Sequence, residues 1–406
     1  RVAVFTYSFA SSEIEQLSFP LAGEEDLLMS WSGNSTELAV VRSVEMDATI
    51  LLLSRAANEV VRLIEGESMI IGLEWEQQRN HLYFNALREG SFIVERYDFA
   101  SQSVVDFHED DTISSLAINE KSQTLYYSRH ISQEHITVRN MHGGQIEHQL
   151  ASSSRDMFGQ YLAATEELLF LSNRSGAWEL WLNQESGSKQ LTDKQGLLSV
   201  PAASPLDKRY VVPMKPYGEQ HYHLYLGDLN QDGLTQLSGI EGDVRNPSFS
   251  HDGSKVYYSS NVGGNWALYQ YVFASQTSLL VVADGAKYGV EDQYGGLYYS
   301  KDNQPGIFYH PVDGSEDKLV TADLAVNDWG SFFYQDDALY FLKRSDLTDE
   351  VVQLAANNQP QLLFSLPASS VRGERSLAKA DNDSIVMSML GINDADIYSV
   401  SLAAAN

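Results

Sequence analysis

Hydrophobic residues occur along the whole chain in short runs that alternate with polar turn clusters. In the clearest copy, a β-branched and aromatic run at 256–258 follows Asp252 and Gly253 and precedes a second turn that contains Gly264. Such runs are typical of half-buried strands, and Asp and Gly tolerate the backbone angles of tight hairpin turns. The pattern predicts a unit of antiparallel strands, the fourth of which lies at Thr277–Val282.

The spacing of matching residues defines the length of this unit. Five residues of an upstream copy lie 88 residues before their counterparts in the clearest copy, and they are Ser172, Asn173, Gly176, Trp178 and Leu180. The run that forms the second strand of the unit recurs nine times, beginning at Leu38, Leu82, Leu125, Leu168, Tyr210, Val256, Leu297, Leu339 and Ile385. The intervals between these positions are 41 to 46 residues, so the chain consists of nine repeats without a gap.

Four-stranded antiparallel sheets repeated at this interval are typical of a β-propeller, in which each sheet packs on its two neighbours. We therefore predict an all-β fold in which one closed β-propeller domain covers residues 1–406 and has nine blades by repeat count. Eight blades is the alternative, if the weak repeat near Tyr210 is not a blade. The last repeat, in 369–406, lacks a fourth strand, and we expect the N-terminal strand, in 1–8, to complete it and close the ring.

Two local features follow from the repeat. Trp178 and Trp266 occupy the third strands, where we expect them to be buried between blades, so that replacing either by Ala costs about 3–5 kcal/mol. The apolar spacing in 55–64 suits a short helix as well as a fourth strand, and we favour a strand from Glu59 to Ile64.

Composition narrows the class of protein. Hydrophobic residues make up 43% of the 406 residues, which excludes a disordered chain. The formal charge of −28 repels phosphate backbones, so we expect no nucleic-acid binding by this chain. Cysteine is absent, and no apolar run reaches the roughly 18 residues of a membrane span. Because the chain begins at Arg1, we expect a mature or excised fragment of a longer protein.

Candidate catalytic and metal-binding motifs are weak. The sequence contains no Gly-x-Ser-x-Gly motif, which in many hydrolases presents a nucleophilic serine. His221 and His223 alternate on one predicted strand, but zinc requires three or four ligands and no third is recognisable. We therefore predict no catalytic residue, no metal and no cofactor.

Loops between the second and third strands are the better candidate for a binding site. Loops of one class cluster on one face of a propeller, and convergent loops on a rigid scaffold commonly bind ligands. Asn173 and Arg174 lie in one such loop, and Asn261 lies in the equivalent loop of a later repeat. These three residues form the predicted partner-binding loop face, although Asn and Gly in these loops are also explained by backbone geometry.

The repeat motif is similar to that of a known family. The stretches at 172–178 and 247–253 resemble the TolB-like propeller repeat, except that His251 stands where that family usually has proline. The combination of Ser-Asn-x-x-Gly-x-Trp with Leu-Trp or Leu-Tyr is similar to the periplasmic sensor domains of CadC-like and ToxR-like winged-helix regulators.

The resemblance implies a non-enzymatic periplasmic sensor or protein-interaction propeller, the extracytoplasmic part of an inner-membrane transcriptional regulator. Its partner would be another envelope protein or a small ligand on the loop face. Two alternatives stay open at this point. The chain could be a TolB-like component of an envelope complex, or the propeller domain of a prolyl-peptidase-like enzyme without its hydrolase domain.

Overall fold

A computed structural model describes most of the chain, namely residues 2–21, 24–44, 47–54, 59–88, 91–110, 113–283, 285–355, 359–381 and 383–402. These residues form β-strands and one short 3-10 helix, at Val326–Asp328. Contacts between Cα atoms divide the chain into two compact units. Unit 1 comprises Arg1–Ile131 and Asn393–Asn406, and unit 2 comprises Ser132–Ile392.

Unit 1 begins with a small hairpin and continues with antiparallel sheets. The hairpin consists of β1 (Phe5–Tyr7) and β2 (Ile14–Gln16). The next sheet consists of β3 (Glu25–Trp31), β4 (Glu37–Val44), β5 (Asp47–Ser54) and β6 (Glu59–Ser68). The following sheet consists of β7 (Gly72–Glu76), β8 (His81–Arg88), β9 (Ser91–Asp98) and β10 (Ser103–Asp110), after which comes β11 (Ile113–Asn119). The strand predicted from Glu59 is confirmed as β6, and residues 55–58 lie outside the described part.

Unit 2 holds five complete sheets in chain order. The first consists of β14 (Asp156–Leu162), β15 (Glu167–Ser172), β16 (Glu179–Gln184) and β17 (Gly187–Gln190). The second consists of β18 (Gly196–Leu198), β19 (Ala202–Ala203), β20 (Arg209–Pro216), β21 (His223–Asp228) and β22 (Thr235–Gln236). The third consists of β23 (Val244–Phe249), β24 (Lys255–Ser260), β25 (Ala267–Val272) and β26 (Thr277–Val282).

The fourth sheet consists of β27 (Ala286–Glu291), β28 (Leu297–Lys301), β29 (Ile307–His310) and β30 (Lys318–Thr321). The fifth consists of β31 (Phe332–Gln335), β32 (Ala338–Arg344), β33 (Thr348–Ala355) and β34 (Pro360–Pro367). A sixth sheet is built from two distant parts of the chain, which are β12 (Thr124–Asn140) with β13 (Ile146–Leu150) and β35 (Leu377–Lys379) with β36 (Ser384–Ser401). The division between the units falls within β12 and β36, and β11 pairs with the first residues of β12.

The second strand of every predicted repeat is confirmed. Each of the nine positions from Leu38 to Ile385 is the first or second residue of a strand, namely β4, β8, β12, β15, β20, β24, β28, β32 and β36. Tyr210 lies in β20, so the weak repeat is also part of a sheet. In the described part, nine repeats give eight sheets of four or five strands, because the repeats at Leu125 and Ile385 share one sheet.

Second strands in unit 2 are buried on both faces. Val256 and Tyr257 are 0% and 3% exposed, and they belong to different hydrophobic clusters because successive side chains of a strand point to opposite faces. This explains why these runs are almost continuously apolar rather than alternating with polar residues.

Six hydrophobic clusters join the sheets of unit 2 in a series that returns to its starting sheet. Each cluster holds residues of two successive sheets, and one pair from each is Phe170 with Val386, Leu182 with Tyr210, Val211 with Val256, Tyr257 with Tyr299, Tyr288 with Phe341, and Leu342 with Met387. Every sheet of unit 2 therefore packs on a neighbouring sheet with each of its two faces. This packing buries apolar surface that a single sheet would leave exposed.

The expected completion of the last repeat by the N-terminal strand is wrong. β36 lies between β12 and β35, so its edges are already paired, whereas β1 pairs with β2. Next to β1, Val4 packs with Leu38 and Val40 of the first full sheet. The single ring of nine blades stays a prediction, and the contacts of unit 2 describe a smaller closed series of six sheets.

Candidate functional site

Both asparagines of the predicted loop face tie their loops to the start of the first strand. The Oδ1 of Asn173 accepts a hydrogen bond from the backbone N–H of Arg155 at 2.9 Å, and the Oδ1 of Asn261 accepts one from Asp243 at 3.0 Å. Their carbonyls accept hydrogen bonds from Gly176 and Gly264, each of which has a φ of 90°. The repeated Asn-x-x-Gly spacing is therefore explained by a turn that only glycine closes without strain. A partner-binding role for the two asparagines stays a prediction.

Arg174 makes internal contacts. Its Nη2 lies 2.6 Å from Oδ1 of Asp156, and its Nε donates to Oγ of Ser172 at 3.0 Å. The guanidinium carbon lies 5.0 Å from the ring centroid of Phe170 and 5.2 Å from that of Trp181. The Asp156 side chain is fully buried and that of Arg174 is 19% exposed. Arg174 therefore neutralises a buried carboxylate, and little of its side chain is free to contact a partner.

An ionic network lies beside the same loop. Glu134, whose side chain is 3% exposed, pairs with Arg155 at 2.9 Å and with Arg372 at 3.4 Å. Arg155 also lies over the ring of Trp178, at 5.3 Å from its centroid. Arg372 additionally pairs with Glu374 at 2.7 Å. The network orders the polar surface around Asn173, and its charges are largely compensated.

Exposed apolar side chains occur on three loops of this class in unit 2, one of which is the loop that holds Asn261. We call the connections between second and third strands of unit 2 the second-strand loops. Tyr217 follows β20 and is 44% exposed, Val262 follows β24 and is 44% exposed, and Leu347 follows β32 and is 83% exposed. Single exposed apolar residues are common on protein surfaces, and these three are candidates for a contact surface because their loops belong to one class.

The two tryptophans are less buried than their positions in the sequence predict. Trp178 is half-buried and packs against a cluster shared by the first and second sheets of unit 2. Trp266 is also half-buried and belongs to none of the clusters of the described residues. Packing between neighbouring sheets is therefore confirmed for Trp178, whereas no cluster of the described residues includes Trp266.

A cavity of about 180 Å³ lies where the first strands of unit 2 converge. All six sheets contribute lining residues from their first strands, among them Gln160, Ala202, Ser248, Tyr288, Phe332 and Leu377. Pro205, His251 and Lys379 also line the cavity and are exposed, whereas Arg375 lines it and is 5% exposed. The cavity therefore has an open rim and a buried end, and Arg375 lies at the buried end.

Arg375 joins three sheets across the centre of unit 2. Its Nη1 donates to the carbonyl of Pro247 at 2.6 Å, and its Nη2 donates to Oε1 of Gln160 at 3.3 Å. Its guanidinium carbon lies 4.5 Å from the ring centroid of Tyr288. Burial lowers the pKa of Arg375, although a guanidinium stays charged at neutral pH. Sequence reasoning missed this residue, because it lies in a polar loop with no periodic signal.

Strand irregularities help to place the partners of Arg375. The pairing of β14 with β15 is irregular between Met157 and Gln160, and that of β23 with β24 is irregular between Arg245 and Ser248. At the equivalent positions, Phe158 and Asn246 have positive φ angles of 56° and 54°. Such bulges re-aim side chains and free backbone groups from the ladder, which leaves the Pro247 carbonyl available to Arg375.

His221 and His223 do not form a metal site in the described residues. His223 pairs with Glu219 at 2.8 Å, and no group of three or more His, Asp or Glu residues in this part of the chain could hold a metal ion. In the same described residues, no helix is long and apolar enough to cross a membrane.

Comparisons with known proteins find similar structures only. No protein family and no curated protein matches the sequence. The structure is similar to a TolB-type protein from Agrobacterium tumefaciens, with 14% identity, a TM-score of 0.49, and coverage of 64% of this chain and 99% of that one. It is also similar to TolB from Acinetobacter baumannii, with 12% identity, a TM-score of 0.47, and coverage of 75% and 80%.

A third similar structure is the β-propeller domain of the Trilobed protease from Pyrococcus furiosus. The identity is 14%, the TM-score is 0.28, and the match covers 76% of this chain and 85% of that one. All three similar structures are TolB proteins or propellers, and the CadC-like and ToxR-like resemblance finds no counterpart among them. Likenesses of this size do not extend to function.

Proposed function

We propose that this chain is a non-enzymatic protein-interaction propeller of the cell envelope, in which unit 2 is a six-bladed propeller and its second-strand loops bind a partner protein. The observation that carries the proposal is the exposure of Tyr217, Val262 and Leu347 on three loops of one class. The closed series of six hydrophobic clusters supports the six-bladed arrangement, which would present these loops from one face.

The charge of the chain suggests the chemistry of the partner. With a formal charge of −28, the surface favours a partner that carries a basic rim around an apolar centre. We place the protein in the periplasm as the sensor portion of a membrane-anchored regulator, with a TolB-like envelope component as the alternative. The complete reading frame of the gene separates the two, since a winged helix and a membrane segment would precede Arg1 in the regulator, and a signal peptide in the TolB-like component.

The loop face is tested by affinity capture from an envelope extract of the source organism. The double variant Val262→Glu with Leu347→Glu places charges on two second-strand loops, and we expect it to lose the partner that the parent protein captures. Val312→Glu is the matched control, because Val312 is 71% exposed on a loop between a third and a fourth strand. Equal capture by the double variant and the control would contradict the loop-face assignment.

The absence of enzymatic activity is part of the proposal. Among the hydrogen bonds between described residues, none joins a serine hydroxyl to a histidine ring, the contact that activates a serine nucleophile. We expect no turnover of peptide p-nitroanilides or p-nitrophenyl esters by the purified chain. Turnover that copurifies with the protein and survives a second chromatographic step would contradict this expectation and favour an enzyme.

A further inference from the structure

The buried guanidinium of Arg375 lacks a negative partner. Among the described residues, no carboxylate forms an ion pair with it, and its contacts are the Pro247 carbonyl, the Gln160 amide and the Tyr288 ring. Arginine has five N–H donors, so donors remain after these three contacts. A charge that is buried among neutral groups is unfavourable unless an ion of opposite sign joins it.

The other charged groups of the cavity do not supply that ion. Glu291 also lines the cavity, but its carboxylate is already paired with Lys255 at 3.0 Å and with the Tyr257 hydroxyl at 2.6 Å. Lys379, on the exposed rim, adds a second positive charge to the wall. The cavity therefore favours a negative ligand at Arg375, even though the chain as a whole is strongly acidic.

The walls select the rest of the ligand. Tyr288 and Phe332 line the cavity near its buried end, and Ala202 and Leu377 line other walls. Apolar walls with a few convergent polar groups are typical of small-molecule sites. A volume of about 180 Å³ is sufficient for one ring-sized apolar group, since cavities of roughly 150 Å³ hold benzene.

We propose that the cavity of unit 2 is a binding site for a small carboxylate with an apolar body, in which the carboxylate pairs with Arg375 and the apolar body contacts Tyr288 and Phe332. The guanidinium fork matches a carboxylate in two-point geometry, which gives the site its selectivity for an acid over the matching amide. This site is distinct from the second-strand loops, so its test succeeds or fails independently of the loop-face test.

The experiment compares benzoate with benzamide on the parent protein by isothermal titration calorimetry. The two probes have the same ring and nearly the same size, and they differ in charge. We expect benzoate to bind with a dissociation constant on the order of 1 mM and benzamide to bind at least about tenfold more weakly. Equal affinities, or no benzoate binding, would overturn the proposal without recourse to any variant.

Gln160→Glu is the variant that locates the site. It places a carboxylate at nearly the same position as the Gln160 amide, which lies 3.3 Å from Arg375, so the guanidinium gains an internal partner. We expect the variant to fold with an equal or higher melting temperature and to bind benzoate at least about tenfold more weakly than the parent. Arg375→Met should also lose benzoate binding if it folds. Unchanged benzoate affinity in Gln160→Glu would show that the ligand binds elsewhere.

Discussion

The ion pair between Arg174 and Asp156 gives the sharpest prediction about stability. In Arg174→Met, the methionine retains much of the apolar contact with Phe170 and Trp181 but removes the positive charge. Asp156 is then left fully buried without a counterion, and its Oδ2 has no hydrogen-bond partner among the described residues. Breaking a buried pair in this way lowers the free energy of unfolding by about 3–5 kcal/mol.

A double-mutant cycle separates the charge from the packing. Asp156→Asn combined with Arg174→Met removes both charges, and we expect the double variant to be less destabilised than Arg174→Met alone, by about 1–3 kcal/mol. Lys343→Met is the matched control, because Lys343 pairs with Asp323 in unit 2 with side chains that are 39% and 43% exposed. The control is expected to change stability by less than about 1 kcal/mol.

The assay is urea unfolding followed by tryptophan fluorescence and by circular dichroism, with the two curves required to coincide before free energies are compared. An Arg174→Met variant within about 1 kcal/mol of the parent would refute the reasoning that Asp156 depends on Arg174. Arg174→Glu is a poor test of partner binding by the loop face, because it places a second carboxylate beside the buried carboxylate of Asp156.

Three further predictions follow from single residues. Trp178→Ala should lower the free energy of unfolding by about 2–3 kcal/mol and Trp266→Ala by about 1 kcal/mol, because only Trp178 packs on a hydrophobic cluster. Equal losses of free energy in chemical denaturation would contradict this difference. Gly227→Ala should destabilise unit 2 by about 1–3 kcal/mol, because the added Cβ would lie 2.2 Å from the Tyr210 ring. An unchanged melting curve would contradict the close packing of Tyr210 on Gly227. Backbone and hydroxyl hydrogen bonds from Ser254 lower the pKa of Asp252 to about 2. The contribution of Asp252 to stability is therefore present above its unfolded pKa of about 3.9 and is lost as the pH falls through about 2. An NMR titration midpoint near 4 for Asp252 would contradict these hydrogen bonds.

Strand positions could be predicted from the sequence because they depend on local chemistry. Turn residues such as Asp252 and Gly253 precede β-branched and aromatic runs, and both properties are readable at any point of the chain. The same repeat spacing, however, is compatible with one large ring or with two units. The deciding contact is the placement of β36 beside β12, which joins residues more than two hundred positions apart and leaves no periodic signal.

The candidate site was only partly predictable for the same reason. Asn173 and Asn261 were recognisable as a repeated pair, yet the repetition reflects a turn that the backbone requires. Arg375 contacts Pro247, 128 residues away, and Gln160, 215 residues away, so its burial is a property of the assembled sheets. Leu347 stands in a short polar loop, where its exposure is visible only in the structure.

The most direct test of the loop-face proposal is site-specific photo-crosslinking in the source organism. A photoreactive phenylalanine analogue is placed at Leu347 in one strain and at Val312 in another, both positions being strongly exposed in unit 2. We predict a crosslinked partner protein from position 347 and none from position 312. A partner crosslinked from 312 alone, equal crosslinking from both positions, or none from 347 would contradict the claim that the second-strand loops bind a partner.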